Sequence, residues 1–538
     1  MKKSRTAIIA AVILGITMLS SCGGNKNETG KNVDFEVKTD GSYPIQTDKT
    51  ITWWVSMHES VAANFSSLNE TQFAKELIAQ TGVNVEFIHP PMAQVTEKFN
   101  LMIASQDYPD IIETKWNGFA GGGPHAAIED GVIIPLNNVI EKAAPNLNAY
   151  LSENNDVLKG VSTDEKEIFA FPFVRESDYL STYFGPMFRK DYLDRAGLDV
   201  PETIQEWETA LYAFKDMGVE IPLAVTLDNG KMKNSSPFLG AYGAMGDFYV
   251  EDGKVKFGPY DDAVEFTEFV KLMAKWYKDG ILNPNFVNTK SDAQSALGIS
   301  GKWGVIFASS GGSFGSWIPA IQKNNPDAEF VPAKYPVLNK GETPKFGQKN
   351  FKCDAGIAAI STQCEEIELA ARLLDYAYSE KGYMLYNFGK EGESYQMIDG
   401  IPTYTEMITN PDVNGGKPMG QMIAKYARAS YSAPMIQSEN YMKQYAKLDV
   451  QKQAIDTWSD TKQTEYALPY VLMTAEENSE YSAIMADINT YRQEELYKFI
   501  TGTESLDRLS DYFTTLKNMK IERAIEINQT AYERYLER

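Results

Sequence analysis

The chain has 538 residues, 43% of them hydrophobic and 12% aromatic, which is enough to bury more than one core and leads us to expect two or three domains. A formal net charge of −22 argues against a nucleic-acid partner, which needs a basic footprint, and disfavours acidic ligands except where a local Arg or Lys overrides the long-range field. Three cysteines in such a length exclude a disulfide-built scaffold.

Lys2, Lys3 and Arg5 precede an uncharged, largely aliphatic run from Thr6 to Leu19, the layout of a secretory signal peptide assigned here to residues 1–21. The run is too short for a membrane span, which takes about 20 apolar residues. It ends in Leu19-Ser20-Ser21-Cys22, which matches the bacterial lipobox, so Cys22 is expected to be lipidated and to become the mature N-terminus. Residues 22–50, rich in Gly, Asn, Lys, Asp and Thr, then read as a flexible tether. The expected location is extracytoplasmic, anchored by lipid to the cell membrane at the periplasmic face or cell surface.

Beyond the tether, short β-like runs fall at 52–55, 83–88, 110–112, 169–171 and 303–307. Helices alternate with them. Thr203 and Glu206 fit a capping box ahead of Trp207, Leu211 and Phe214, and an apolar stripe through Val264, Phe269, Leu272, Met273 and Trp276 ends at Gly280. From Glu477 onward the chain reads as helical, interrupted at Gly502. This alternation predicts α/β domains. Cys353 and Cys364 flank a run that reads as one buried strand, whose length of about 20 Å exceeds the roughly 7 Å a disulfide allows, so both are expected to be free thiols.

No constellation for catalysis emerges. The chain has three histidines, His58, His89 and His125; His58-Glu59 opens like a zincin helix, but Ala62 stands where the second ligand belongs. Gly311-Gly312-Ser313-Phe314-Gly315 has the letters of a nucleophile elbow, yet every histidine precedes it, contrary to the order such triads require, and a Gly-rich turn is the better reading. No cofactor or metal is expected. Paired carboxylates for glycoside hydrolysis carry no discriminating signal among 73 acidic residues.

From Phe73 to Phe87 the sequence begins to resemble the family 1 extracellular solute-binding proteins, lipoprotein receptors of carbohydrate ABC importers. The resemblance continues through Glu97–Ser105, Tyr108–Ile112, Asp130–Leu136, Ile168–Pro172, Arg189–Leu193 with Gly197 and Leu198, and Gly389–Tyr395. It implies a two-lobed periplasmic-binding-protein-like fold of class II type with a helical C-terminal segment. The implied lobes are assembled from 51–175 and 353–400 for the first, and from 176–352 and 401–538 for the second, with hinge crossovers near 171–178 and 351–358. The long branch of the family often carries a calcium loop; here the interval Phe214–Pro222 is too short to supply it, and calcium is not carried over.

The resemblance further implies capture of an oligosaccharide between the lobes, delivery to the membrane subunits of an ABC permease, a monomeric receptor and no enzymatic activity. A sugar ring needs flat aromatic platforms and a few directional polar groups. The candidates are Trp54 and His58 past the first strand, Trp116 after the 110–112 strand, Trp317 after the Gly-rich turn, Glu393 and Tyr395 in the family-like block, and Arg175 in the first crossover, which would also suit a uronic acid. Trp207 and Trp276, on apolar stripes, are expected in cores. The alternatives left open are a peptide or other solute, an extracellular polysaccharide-active enzyme, and a sensor or adhesin that does not transport.

Overall fold

The computed structural model describes residues 33–226, 236–287 and 291–538. The signal peptide, Cys22 and the first part of the tether lie outside the described residues.

In chain order the strands are β1 (Thr50–Val55), β2 (Asn84–Ile88), β3 (Ile111–Glu113), β4 (Phe171–Arg175), β5 (Phe184–Arg189), β6 (Ile221–Ala224), β7 (Phe248–Glu251), β8 (Lys254–Phe257), β9 (Trp303–Ser309), β10 (Phe330–Pro332), β11 (Cys353–Ile360), β12 (Tyr395–Ile398), β13 (Ile401–Tyr404) and β14 (Met435–Gln437). Two sheets organise them. A six-stranded sheet runs β14-β4-β11-β3-β1-β2 and a four-stranded sheet runs β10-β5-β9-β6; β7-β8 and β12-β13 are separate hairpins. The near-continuous apolar runs of β4, β5 and β9 are buried along their whole described length but for Ser309, as expected of strands covered by helices on both faces. Each sheet has its own core, and Trp207 and Trp276 are fully buried in the second, as expected.

The capping box is present as read: Glu206 N donates to Thr203 Oγ1 and Thr203 N donates to the Glu206 carboxylate, both at 3.1 Å, opening the helix Ile204–Asp216. The apolar stripe forms the helix Ala263–Lys278, buried through Phe269, Leu272, Met273 and Trp276, while Val264 in its first turn faces solvent. Cys353 and Cys364 are buried and form no disulfide; burial, followed by the neighbouring Asp110 carboxylate, pushes the Cys364 thiol well above its ordinary value.

Two expectations are corrected. The tether does not extend to residue 50. From residue 33 the chain is a strap docked on the first lobe, with Val33 exchanging hydrogen bonds with the Asn138 side chain, Thr39 and Lys38 donating to the buried Glu368 carboxylate, and Ile45 buried against the end of the helix Gln72–Thr81. The composition that suggested disorder hid Val33, Phe35, Tyr43 and Ile45, spaced widely enough to look isolated. The second lobe also does not resume at 401: β14 pairs in parallel with β4 in the six-stranded sheet, so the first lobe continues to Gln437. A three-residue strand 75 residues beyond β11 has no periodicity to reveal it.

Among the described residues three connections join the two sheets. After Arg175 the chain passes to β5; it returns through 349–352 into β11; it leaves again after Gln437 toward the helix Asp449–Ser459, which packs on β5 and β10. The three run side by side. Arg175 N donates to Lys352 O, Asn350 N to Ser181 O, and Glu176 N to Gln437 O. Glu176 also accepts from Glu439 N at 2.7 Å.

Asp375 gives the fold a pH dependence. Its carboxylate accepts from Leu147 N at 2.8 Å and Asn146 Nδ2 at 2.6 Å, at the start of the helix Pro145–Glu153, and burial raises its pKa from 3.8 to about 6. A raised acid pKa means the folded state holds the proton more tightly. The group's stabilisation is therefore complete below its unfolded value and is lost as pH rises through about 6. At about 1.4 kcal/mol per unit the total is on the order of 3 kcal/mol. Urea midpoints at about pH 4 and pH 7 should converge on Asp375→Asn relative to the parent; an unchanged difference would show that Asp375 does not titrate in this window.

Candidate functional site

Strand direction fixes where the two lobes face each other. In the first sheet β1, β2, β3, β4 and β14 run in one direction, so Val55, Ile88, Glu113, Arg175 and Gln437 close the same edge. In the second sheet Phe184 opposes Ser309 and β6 runs parallel to β9, so Phe184, Ala224 and Ser309 share an edge. The first crossover joins Arg175 to Phe184, which brings these two edges together. Carboxyl ends of parallel strands are where open α/β sheets bind ligands.

On the first lobe this edge is built around a buried ion pair. Glu113, the last residue of β3, accepts from Arg428 Nη1 at 3.0 Å and Nη2 at 2.7 Å, and from Trp53 Nε1 at 3.0 Å; the two charged side chains are 6% and 1% exposed. Arg428 also donates to Ser432 O, fixing the 428–432 turn, and its guanidinium lies 5.1 Å from the Tyr431 ring centroid. Tyr431 in turn stacks on His58, with centroids 5.0 Å apart and planes 8° apart. His58 caps the helix that begins at Glu59, accepting from Ser60 N through Nδ1. Partial burial lowers its pKa, with Glu59 opposing and Arg428 reinforcing the shift, so the ring is neutral at neutral pH. Trp116 Nε1, Asn117 Oδ1 and Ser430 Oγ are buried here without a hydrogen-bond partner.

On the second lobe the edge carries a Gly-rich turn and a cavity. Ser309 Oγ accepts from Ser313 N, and Gln451 Nε2 donates to Ser310 O, closing the turn. A side chain on Gly311 would meet the Tyr445 ring at 3.0 Å, which accounts for glycine there. Ser313 has its hydroxyl 3.0 Å from that of Ser309, and all three histidines belong to the other lobe. Beside Phe184 lies a cavity of about 270 Å³ walled by Phe184, Tyr335 and Phe346, with Ser236, Asp247, Gln348 and Gln463 among its polar groups. The Gln348 amide oxygen accepts from Tyr183 N at 2.7 Å and Phe184 N at 3.1 Å, and Gly347 N donates to Gln463, so the wall is tied to the start of β5.

Of the seven side chains singled out from sequence, the structure brings only His58 to this edge with a half-buried ring. Trp54 is buried against Phe99 by strand alternation in β1, and Trp116, which opens the 3-10 turn Trp116–Gly118, is wholly buried among Phe99 and Phe119; both rings join a small core rather than facing outward. Trp317 is 4% exposed and its ring lies where a Cβ on Gly298 would fall, 2.5 Å away, so it is a packing residue. Arg175 donates to Phe351 O at 2.7 Å and lies over Phe173, which engages it in the crossover. Glu393 pairs with Lys390, and Tyr395 packs on Phe388 at the base of the β12-β13 hairpin, away from both edges. Sequence reasoning missed Tyr431, Glu113 and Arg428, and the cavity walls, because none sits in a motif; the isolated Arg428 inside an apolar stretch was the one available signal.

Two α/β lobes, three adjacent crossovers and facing carboxyl edges define a two-lobed solute-binding protein. The pattern of the family described as bacterial extracellular solute-binding protein matches residues 66–384, and the chain belongs to that family. It is 24% identical to the fructooligosaccharide ABC transporter substrate-binding protein FusA of Streptococcus pneumoniae, across 99% of both chains. It is 24% identical to Lipoprotein LipO of Bacillus subtilis, across 62% of this chain and 65% of that one. Among solved structures, an HMO binding ABC-transporter associated solute-binding protein from Bifidobacterium longum infantis superposes with a TM-score of 0.73 at 19% identity, covering 90% of this chain and 99% of that one. No helix among the described residues is long and apolar enough to cross a membrane.

Proposed function

We propose that this protein captures an oligosaccharide between its lobes and presents it to the membrane subunits of an ABC importer. In this reading it is a monomer, held at the outer face of the cell membrane by lipid on Cys22, and it makes and breaks no bond in its ligand. The observation that carries the reading is the cavity beside Phe184: aromatic faces for the C–H surface of a sugar ring, with a carboxylate, two amides and a serine hydroxyl for its hydroxyls. Its volume suits a single ring, so the rest of an oligomer would lie along the edge toward His58 and Tyr431. There Ser430 Oγ, next to Tyr431, has no partner among the described residues, and an unpaired buried polar atom costs about 1–3 kcal/mol that a ligand hydroxyl would offset. The fructooligosaccharide-binding relative supports a carbohydrate, and the lipoprotein relative supports the anchor.

Binding energy that is larger in the closed than in the open arrangement is what would drive the lobes together. The test is thermal unfolding of the chain from residue 23 with a panel of plant, algal and host oligosaccharides, neutral and uronic. A ligand at 100 times its dissociation constant should add about 2.7 kcal/mol of stability. Stabilisation by a peptide mixture, with none from any sugar, would overturn the proposal.

A further inference from the structure

We propose that His125, Glu165 and Glu167 form a site for a divalent transition-metal ion on the flank of the first lobe. His125 Nδ1 lies 3.2 Å from Glu165 Oε2 and 3.2 Å from Glu167 Oε2, and all three ligand atoms fall within 4.8 Å of one another. Metal–nitrogen and metal–oxygen bonds of about 2.0–2.2 Å at a near-tetrahedral angle separate their ligand atoms by roughly 3.3 Å, which two of the three edges already match.

The charge count points the same way. A neutral imidazole offers one proton at Nδ1, enough to satisfy one carboxylate. Here two carboxylates converge on that one nitrogen, and the Glu167 side chain does so while only 5% exposed. A dication accepts all three groups at once and balances the two negative charges. Thr163 Oγ1, 3.2 Å from Glu167 Oε2, holds the buried carboxylate in place, while Thr163 N donates to Glu167 O across the turn. His125 and Glu165 are 39% and 52% exposed, which leaves an open approach for the ion and for a water at a fourth position. One imidazole with two carboxylates suits zinc or a similar transition metal; calcium takes 6–8 oxygen ligands, more than these residues supply. Asp164, on the same turn, is not a ligand, because its carboxylate pairs with Arg534 at 2.9 Å and Arg538 at 2.7 Å from the C-terminal helix.

The experiment is calorimetric titration of the chain from residue 23, freed of metal by chelation, with zinc chloride, alongside cobalt(II) absorption spectra. The expected result is one saturable zinc equivalent, with His125→Gln and Glu165→Gln each weakening it at least tenfold and losing the visible cobalt bands. Both substitutions fall on half-exposed side chains. Asp164→Asn should retain zinc binding. Absence of a saturable equivalent, binding unaffected by either ligand substitution, or calcium displacing zinc at equal concentration would each overturn the assignment.

Discussion

Arg428→Met should lower the free energy of unfolding by about 3–5 kcal/mol, the cost of leaving one member of a buried ion pair without its partner. Glu113 is 6% exposed and spends both oxygens on Arg428, so removing the guanidinium strands a carboxylate inside the end of the first sheet with Trp53 Nε1 as its remaining donor among the described residues. Glu113→Leu should cost a similar amount by stranding the cation. The double variant should recover much of the loss, since well-packed apolar groups replace a buried pair at little cost. Urea titration of the parent and the three variants gives the cycle. Additive single effects would show that the pair does not act as a unit. The turn it fixes carries Tyr431, so the single variant should also weaken ligand binding beyond what its stability loss explains.

The second large effect is on affinity alone. Among the described residues Asp247 is the carboxylate in the wall of the aromatic cavity, half-buried, and it accepts from the adjacent Phe248 N at 2.9 Å. A hydrogen bond to a charged acceptor contributes about 1.5–3 kcal/mol, so Asp247→Ala should weaken sugar binding roughly 10- to 150-fold. Its thermal midpoint in the absence of ligand should stay within about a degree or two of the parent, because little packing is lost. Equal affinities for parent and variant would place the sugar elsewhere on the edge.

The fold was legible where local rules dominate. The strands near 52–55, 83–88, 110–112 and 303–307 and the helices opened by Thr203 and closed near Gly280 follow from periodicity and capping, and they are enough to give two α/β lobes. Lobe membership was legible less far along the chain, because β14 joins the first sheet through three residues whose partner, β4, lies more than 250 positions earlier. The strap was hidden for a different reason. Its order comes from Glu368, Asn138 and Arg372 of the folded lobe, none of which local composition can register.

The site was the least legible part. Tryptophans near strand ends were read as platforms because a loop there faces the ligand, but Trp116 opens a 3-10 turn and Trp317 lies in the helix Gly315–Asn324, and on β1 the face to which a ring turns is decided by one residue of register. Trp53 reaches Glu113 while its neighbour Trp54 turns to Phe99. The cavity is assembled from residues near 184, 245, 335, 346 and 463, a set that only the folded second lobe brings together.

Native mass spectrometry of the chain from residue 23, incubated with the oligosaccharide panel, tests the central claim most directly. One intact oligosaccharide should be bound per monomer, with no shorter products in the solution. Shortened products, or a chain that retains no sugar from the whole panel, would contradict it.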